Sequence, residues 1–433
     1  MTKAVPLTQS PDDSAKPRAT SGAAARRLRI TMVGAFGFGP LMTMRARALP
    51  LARLLVERGH AVSIVMPPLH TPEAGGKRWT EDGVEMIYSP VPARLSMPNL
   101  LVASLRLYRV ARATRPDIVH VFKPIGLAGI VASLFRFAHW DRRGIPVVVD
   151  EDDWDGIGGF HDPTRKGWLG RLLCWQLIRC LREASAVTVA SRALQTIAWS
   201  LRSQAHTVHY LPNGAREWPS ADGAAVRERY GLGSAPVVLL YTRFFEFDVR
   251  RAAEAFGLIR AAVPDARLLI VGRASIPAHQ AEFDARIAAL GLGDAVVQTG
   301  WLEEAELPAF FHAANVALYP MNDTLINRTK CPVKLVDLVS TGVPVVAEAV
   351  GEVAEYIRHG STGMLVPTGD TSALAEAAVL LLRDPALSGR ISRQGAQDTR
   401  ARYGWQARAA ELEKIYLALV DRAPASAERP HTL

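Results

Sequence analysis

The sequence predicts an α/β protein with two Rossmann-like domains in tandem, each built on a doubly wound parallel sheet. Short apolar runs bounded by Gly, Pro or polar residues alternate with longer amphipathic stretches of helical period. The same alternation restarts beyond a turn-rich segment, YLPNGAREWPSADG. A chain of 433 residues, 49% hydrophobic and 21% charged, is long enough for two domains with buried cores.

The first half contains five apolar runs that we predict to be strands, with helical segments such as MTMRARALPLARLLVERG between them. These runs are LRITMVG, AVSIVMP, DIVHVF, PVVVD and AVTVAS. The second half continues with PVVLLYTR, ARLLIVG, AVVQTG, VALYP and VPVVAE. We place the domains at residues 27–212 and 213–402 and predict flexible tails at 1–26 and 423–433.

The segment CPVKLVDLVSTGVPVVAE predicts a short helix followed by a buried strand. Pro332 suits the first turn of a helix because its fixed φ is helical, and Gly342 with Pro344 ends that helix. Lys334 and Asp337 are three residues apart and therefore share one face of the helix. They either meet a common ligand or form an ion pair with each other.

Composition excludes several classes of protein. Three cysteines without zinc-ligand spacing predict a reducing cytoplasm and no structural metal. The sequence contains no continuous apolar segment of about 18 residues, so we predict no membrane span. The N-terminal stretch lacks the apolar core of a signal peptide. The charge is uneven: residues 1–215 hold 28 Lys and Arg against 16 Asp and Glu, and the remainder holds 23 against 26. Without a nucleic-acid-binding motif, the basic half predicts an anionic membrane or acceptor and no nucleic acid.

Two loops of the first half follow predicted strands and are candidates for ligand binding. In GAFGFGP, Gly37 and Gly39 permit close approach of the backbone to a donor, although the spacing is not that of a dinucleotide fingerprint, and a plain tight turn is an alternative. In DEDDWDGIGGFHD, five acids between residues 150 and 155 must face solvent, a cation or a hydroxyl-rich partner. We assign Asp152, Asp153 and His161 to an acceptor, with metal ligation and a solvated loop as alternatives.

In the second half, Arg243 of YTRFFEFDVRR follows the first strand, where its guanidinium can hold a phosphate. A surface ion pair with Glu246 or Asp248 is the alternative. Arg243 and Lys334 would both lie in loops at strand ends of the same lobe, as the binding of a diphosphate requires.

The second half resembles the donor half of the family 4 glycosyltransferases of the GT-B fold. The resemblance covers most of residues 236–385, through LLYTRFFEF, VPDARLLIVGRA, TGWLEEAELPAFFHAANVALYP and KCPVKLVDLVSTGVPVVAEAVGEVAEYIRHGSTGMLVPTGD. The first half is similar more loosely, through its Gly-rich loop, LARLLVERGHAV and AVTVASRALQ…YLPNG. The resemblance implies two lobes facing a central cleft, with acceptor domain 27–212, donor domain 213–402, and a C-terminal helix at 403–420 that packs back on the first lobe.

The resemblance further implies retaining transfer from a nucleotide-diphosphate sugar, with no metal or other cofactor. Arg243 matches the family's arginine, Asp248 stands where its usual lysine is expected, and Lys334 would supply the missing charge. Asp337 matches the second of two glutamates eight residues apart, whereas the first is replaced by Thr329. We therefore predict Arg243 and Lys334 as catalytic residues. The donor-binding residues are predicted to be Asp337, Thr329, Lys330, Gly272, Gly300, Gly37 and Gly39.

Chemistry explains why such residues suffice. Negative charge grows on the departing diphosphate while the sugar becomes oxocarbenium-like, so fixed cations stabilise the transition state more than the ground state. The acceptor is expected to be lipid-linked, a polysaccharide or another hydroxyl compound. Two alternatives stay open, a catalytically silent scaffold subunit and a nucleotide-sugar 2-epimerase.

Two basic segments of the first half favour a cytoplasmic protein with peripheral contact on the inner face of the membrane. In NLLVASLRLYRVARATR, arginines recur at helical spacing, at positions 106, 109, 112 and 115. In TRKGWLGRLLCWQLIRCLREA, Trp168 and Trp175 accompany cations and an apolar run. This pattern suits shallow attachment to anionic headgroups, and solvated helix faces are the alternative.

Overall fold

The computed structural model describes residues 26–39, 43–92, 96–137 and 144–422, which form two α/β lobes. The predicted tails lie outside these residues, apart from Arg26. The strands of the first lobe are β1 (Arg29–Gly34), β2 (Ala61–Met66), β3 (Arg78–Glu81), β4 (Val84–Tyr88), β5 (Ile118–Phe122), β6 (Val147–Glu151), β7 (Ala186–Val189) and β8 (Val208–Tyr210). Their order is β3-β4-β2-β1-β5-β6-β7-β8, and only β3 runs antiparallel to its neighbour among them.

The helices of the first lobe lie on both faces of this sheet. A π-helical turn at Met44–Ala48 leads into the first of them. They are α1 (Leu49–Glu57), α2 (Met97–Ala113), α3 (Gly126–Phe137), α4 (Pro163–Glu183) and α5 (Arg192–Leu201). The inward residues of α2, α3 and α4 join one buried cluster with the sheet, and α1 belongs to a separate cluster that also holds β1 and β2 residues.

The second lobe has a parallel sheet of β9 (Val237–Tyr241), β10 (Arg267–Val271), β11 (Val296–Gln298), β12 (Val316–Tyr319), β13 (Val345–Glu348) and β14 (Met364–Val366). Its order, β11-β10-β9-β12-β13-β14, is that of a dinucleotide-binding Rossmann sheet. Its helices are α6 (Gly223–Arg229), α7 (Val249–Ala262), α8 (Pro277–Ala289), α9 (Leu307–His312), α10 (Leu325–Thr329), α11 (Val333–Thr341), α12 (Val353–Tyr356), α13 (Thr371–Arg383) and α14 (Pro385–Tyr403).

The chain passes between the lobes twice, and the two passages are hydrogen-bonded to each other. Ala215 N–H donates to the Tyr403 carbonyl over 2.7 Å. A Cβ on Gly214 would lie 2.4 Å from the Trp405 ring, so only glycine permits this approach. Beyond the second passage, helix α15 (Trp405–Arg422) lies against α1 in the first lobe, where Tyr416 OH is 2.6 Å from His120 Nδ1.

The fold prediction is confirmed: all ten predicted strands form and run parallel within the sheets of two α/β lobes. Strands β3, β4, β8 and β14 were missed. A signal for the β3–β4 hairpin was present, because Asp82 and Gly83 join the strands with positive φ values of 49° and 78°, as expected of a tight Asp-Gly turn. Arg115 lies beyond the end of α2, so the helical run of arginines stops at Arg112.

Candidate functional site

The candidate site lies in the cleft between the lobes, where both sheets present the carboxyl ends of their strands. Two cavities, of about 730 Å³ and about 830 Å³, occupy this region. Both are lined by Arg216, Tyr241, Arg243 and Lys334, so we describe them as two parts of one cleft. In each sheet the strand order reverses here, at β1/β5 and at β9/β12, as expected of ligand sites in open α/β sheets.

A cluster of three cations surrounds one carboxylate in the second lobe. Arg243 follows β9, and its Nη2 lies 3.0 Å from Glu246 Oε1. Lys330, just after α10, places its Nζ 3.1 Å from the same oxygen. Lys334 Nζ has no hydrogen-bond partner among the described residues and lies 5.4 Å from the centre of the Tyr241 ring. The cluster therefore carries more positive than negative charge, with one ammonium group left to meet an anion.

The pKa values of this cluster reflect burial and mutual repulsion. Burial is the main cause that lowers the pKa of Lys334 to about 7. The charges of Arg243 and Lys330 lower it further, whereas the Glu246 carboxylate raises it. Burial alone would raise the pKa of Glu246, but Lys334, Lys330 and Arg243 hold it well below its usual range. Glu246 thus stays ionised, and an incoming dianionic phosphate would restore the proton affinity of Lys334.

Helix α11 presents Lys334 and Asp337 to the same cavity, as its spacing predicts. Pro332 stands at its N-cap and Gly342 ends it with a left-handed φ of 88°. Within the described residues no ion pair joins Lys334 to Asp337. The partner of Asp337 is Arg216, whose Nε lies 3.6 Å from Asp337 Oδ1.

Asp337 is a buried carboxylate with capacity to accept a hydrogen bond. Its side chain is 3% exposed, and its Oδ1 accepts no hydrogen bond from a described residue. Burial raises the pKa of Asp337 to about 6, and the Arg216 charge opposes that rise. A ligand hydroxyl reaching Oδ1 would satisfy this atom, which is costly to leave unpaired in the interior.

Three further predicted donor residues differ in their access to the cleft. Gly272 lines the first cavity with a φ of 117°, and a Cβ there would lie 2.0 Å from the Thr242 carbonyl. Gly300 pairs with it, since its carbonyl accepts from Gly272 N–H over 2.9 Å. Thr329 is fully buried, and its hydroxyl donates to carbonyls within α10, at Leu325 and Ile326. Its side chain is therefore not brought to the cavity.

Gly37 and Gly39 follow β1 and line neither cleft cavity. A Cβ on Gly37 would lie 3.2 Å from the Pro67 carbonyl, so this glycine permits close packing against the loop after β2. Their assignment to the donor stays a prediction.

The acidic loop after β6 lies on the first-lobe side of the second cavity, which Asp152 and Asp153 line. Lys123 offsets part of its negative charge, because its Nζ lies 3.1 Å from Asp152 and Asp155 and 3.5 Å from Asp153. His161 Nδ1 is 3.2 Å from Asp155, so it contacts this cluster from outside the cavity. Burial, together with Asp152, raises the pKa of Asp153 to about 6 despite Lys123.

Asp150, the first of the five acids, lies in strand β6 and has a structural role. Arg47 binds both of its oxygens, at 2.7 and 2.8 Å, and also donates to the Leu211 carbonyl and to Asn213 at the passage between lobes. Among the described residues, no group of three His, Cys, Asp or Glu side chains is arranged to hold a metal ion.

Sequence reasoning missed Arg216 and Lys123, and it named Glu246 only as an alternative ion-pair partner of Arg243, a pair that the structure contains at 3.0 Å. Arg216 also contacts Glu304 at 2.5 Å and lines both cavities. A weak signal was present for Lys123, which directly follows the strand DIVHVF, and for Arg216, which follows the turn Asn-Gly. Neither signal identifies a partner, because the partners lie far along the chain.

Comparisons with known proteins match both lobes. Residues 43–214 match the family described as "Glycosyl transferase 4-like domain", and residues 235–384 match the family described as "Glycosyl transferases group 1". The chain is 30% identical over 369 residues to the GDP-mannose-dependent alpha-(1-6)-phosphatidylinositol monomannoside mannosyltransferase of Mycolicibacterium smegmatis, covering 83% of this chain and 90% of that protein. It is 26% identical over 398 residues to the phosphatidyl-myo-inositol mannosyltransferase of Mycobacterium leprae, covering 90% and 96%.

Solved structures share the fold at lower identity. Sucrose-phosphate synthase from Thermosynechococcus elongatus superposes with a TM-score of 0.71 at 19% identity, covering 91% of this chain and all of that one. HepE of Anabaena in complex with UDP-glucose gives a TM-score of 0.68 at 16% identity, covering 90% of this chain and all of that one.

Proposed function

The chain belongs to the family 4 glycosyltransferases of the GT-B fold, and on this premise we propose that it transfers a sugar from a nucleotide-diphosphate sugar, with retention at the anomeric carbon, to a hydroxyl of a lipid-linked or glycan acceptor. The observation that carries the proposal is the unpaired ammonium of Lys334. It shares a cavity with Arg243 and with Asp337 Oδ1, which faces Arg216 at 3.6 Å but accepts no hydrogen bond from a described residue. Two cations and one carboxylate acceptor suit a diphosphate next to a ribose.

In this proposal Arg243 and Lys334 hold the diphosphate. Negative charge accumulates on its oxygens as the bond to the sugar breaks, so both cations stabilise the transition state more than the bound substrate. Because Glu246 already pairs with Arg243 and Lys330, Lys334 is the group whose charge is free to respond to the ligand. The reaction would then need no metal.

Asp337 would accept from the ribose hydroxyls, and Gly272 would let the nucleoside approach the backbone after β10. On the opposite wall, Asp152 and Asp153 would meet the acceptor. A carboxylate with a pKa near 6, as at Asp153, can accept a proton from a hydroxyl held against it.

The names of the two mannosyltransferases make GDP-mannose and a phosphatidylinositol-type acceptor the first substrates to test. The proposal includes a cytoplasmic location, which the three buried free cysteines support, and peripheral contact of the basic first lobe with the inner face of the membrane. No helix in the described ranges has both the length and the apolarity to cross a bilayer. A scaffold role and 2-epimerisation gain no support from the comparisons.

The proposal is tested by incubating the purified chain with UDP-, GDP- and ADP-sugars, with and without bacterial lipid extract. We expect one donor to release its nucleoside diphosphate faster when lipid is added, with the sugar recovered on a lipid. Release of no nucleotide from any donor by folded protein would contradict catalysis, and recovery of a 2-epimer would indicate the epimerase.

A further inference from the structure

Helix α4 is apolar on two opposite sides. Its inner side packs into the first-lobe core through Leu177, Cys180 and Leu181. Its outer side carries large apolar residues exposed to solvent, of which Trp168 is 64% and Trp175 is 56% exposed. A surface helix of a globular protein normally has one apolar side, so the second side indicates a binding surface.

The outer residues form a stripe along the helix. Trp168, Leu172 and Trp175 follow each other at intervals of four and three residues, and exposed Leu169 widens the stripe. The two tryptophans lie roughly 10 Å apart along the axis. Exposed Phe137, at the end of α3, adds to the stripe, since the Arg179 guanidinium lies 5.1 Å from the Phe137 ring and 5.4 Å from the Trp175 ring.

Cations surround this stripe. The basic residues of α4 are Arg165, Lys166, Arg171, Arg179 and Arg182. Its one acid, Glu183, is already paired with Arg136 at 3.1 Å and with Arg179 at 3.2 Å. Helix α2, which like α4 packs on α3, extends the pattern with exposed Leu101, Leu105, Arg106 and Arg109.

The N-terminal end of α4 lies beside the cleft. Asp162 caps the first turn of α4, which the non-helical Gly167 separates from the rest of the helix, and it directly follows His161, which contacts the acidic loop through Asp155. Trp168 is at this end of the helix. A surface held by Trp168 would therefore be close to the side of the cleft where Asp152 and Asp153 lie.

We propose that the outer face of α4, defined by Trp168, Leu169, Leu172 and Trp175, inserts into the headgroup region of an anionic bilayer. Tryptophan favours this depth because its ring is apolar and its N–H is polar, and the flanking arginines attract lipid phosphates. This inference rests on the proposed function, because insertion would serve to bring a lipid-linked acceptor to the cleft.

Charge favours a membrane over a second copy of the chain. A symmetric dimer through this face would bring the five cations of one α4 against the five of the other, with no free carboxylate on the helix to compensate. An anionic lipid surface matches both the apolar stripe and its rim.

The test is co-sedimentation of the full chain with phosphatidylglycerol-containing vesicles and with pure phosphatidylcholine vesicles. We expect binding to the anionic vesicles, weakened by high salt. The double variant Trp168→Ala/Trp175→Ala should lower the partition coefficient by about tenfold or more, the scale of removing inserted aromatic side chains. Wild-type partitioning by this variant would overturn the proposal.

Two matched double variants test whether vesicle binding depends on the leucines of α4 or on any exposed leucines. Leu169→Ala/Leu172→Ala should weaken vesicle binding, whereas Leu258→Ala/Leu380→Ala, at residues 47% and 45% exposed in the second lobe, should not. Equal effects of both pairs would overturn the assignment to α4. So would a dimer in sedimentation velocity that dissociates in the tryptophan variant.

Failure of this inference is distinguishable from failure of the proposed function. Binding of UDP or GDP in vesicle-free buffer should be the same in wild type and the tryptophan variant. A wild type that binds nucleotide but no vesicle would overturn the membrane face alone. A wild type that binds vesicles but no nucleotide would contradict the proposed function and leave the face supported.

Discussion

Arg216 lies one residue beyond Ala215, at the passage between the lobes, and its Nε is 3.6 Å from Asp337 Oδ1. Asp337, whose carboxylate is predicted to bind the nucleoside, therefore pairs with a residue next to the passage between the lobes. A nucleotide that binds Asp337 would therefore change the ion pair between Asp337 and Arg216, next to the passage between the lobes.

We expect Arg216→Ala to lower the free energy of unfolding by about 1–3 kcal/mol at neutral pH, because it leaves the buried Asp337 charge uncompensated. Burial raises the pKa of Asp337 from 3.8 to about 6, so the folded state binds its proton more tightly than the unfolded state does. The destabilisation that the buried Asp337 charge causes is therefore absent below pH 3.8, where the carboxyl is protonated in both states, and complete above about pH 6, where it is ionised in both. The loss should therefore shrink in acid, as measured by urea unfolding across this range.

Glu304→Gln is the control for this variant, since Arg216 also pairs with Glu304. A loss of stability at neutral pH that Glu304→Gln reproduces in full would show that Arg216 acts through Glu304 and not through Asp337.

Arg243→Ala and Lys334→Ala should each lower kcat by about 10²-fold or more while the melting temperature changes little, as expected for the loss of a charge contact in the transition state. Steady-state release of nucleoside diphosphate measures the effect. Arg250→Ala is a matched control, because Arg250 is an exposed arginine of the same lobe paired with Asp248 at 3.2 Å. Near-normal kcat in both site variants would rule out this pair as the catalytic cations.

Nucleotide affinity should fall as the pH rises through about 7, because burial lowers the pKa of Lys334 to about 7 and only its protonated form attracts a diphosphate. Binding above that pH must then take up a proton. Calorimetric titration in buffers of different ionisation enthalpy measures this uptake. Lys334→Met should remove the uptake, and an unchanged uptake in that variant would assign the proton to another group.

The fold could be predicted from the sequence because its signals are local. Apolar runs such as VVLLY and the cap residues Pro332 and Gly342 determine strand and helix bounds within a few residues. The shared direction of Lys334 and Asp337 follows from helical spacing alone.

The local pair of Arg243 and Glu246 was an alternative that the sequence offered, but the other partners in the site could not be predicted, because they depend on contacts between distant segments. Asp337 pairs with Arg216, 121 residues earlier by their numbers, and Lys330 pairs with Glu246 across the second lobe. Thr329 has the sequence position of a donor residue, yet its hydroxyl bonds within α10. Position in a motif gives the location of a side chain but not the direction in which it points.

We expect chelation to leave activity intact, since the cations proposed to bind the diphosphate belong to Arg243 and Lys334. Turnover in excess EDTA, compared with turnover in added Mg²⁺ or Mn²⁺, checks this. Complete loss in EDTA that either metal restores would move the site of phosphate binding toward Asp152 and Asp153, which would then have to release Lys123.

The central claim is that Arg243 and Lys334 hold the diphosphate of the donor. It is tested most directly by calorimetric titration with UDP and with GDP, each compared with its free nucleoside, because the difference in affinity comes from the diphosphate. In the wild type the preferred diphosphate should bind about 10²-fold or more tightly than its nucleoside, the scale of charge-assisted hydrogen bonds. Lys334→Ala should remove most of that difference. Asp337→Asn should instead weaken both ligands by about 1–3 kcal/mol, with Asp337→Glu tolerated. A Lys334→Ala variant that keeps the full preference for the diphosphate, or an Asp337→Asn variant with unchanged affinity for both ligands, would contradict the account.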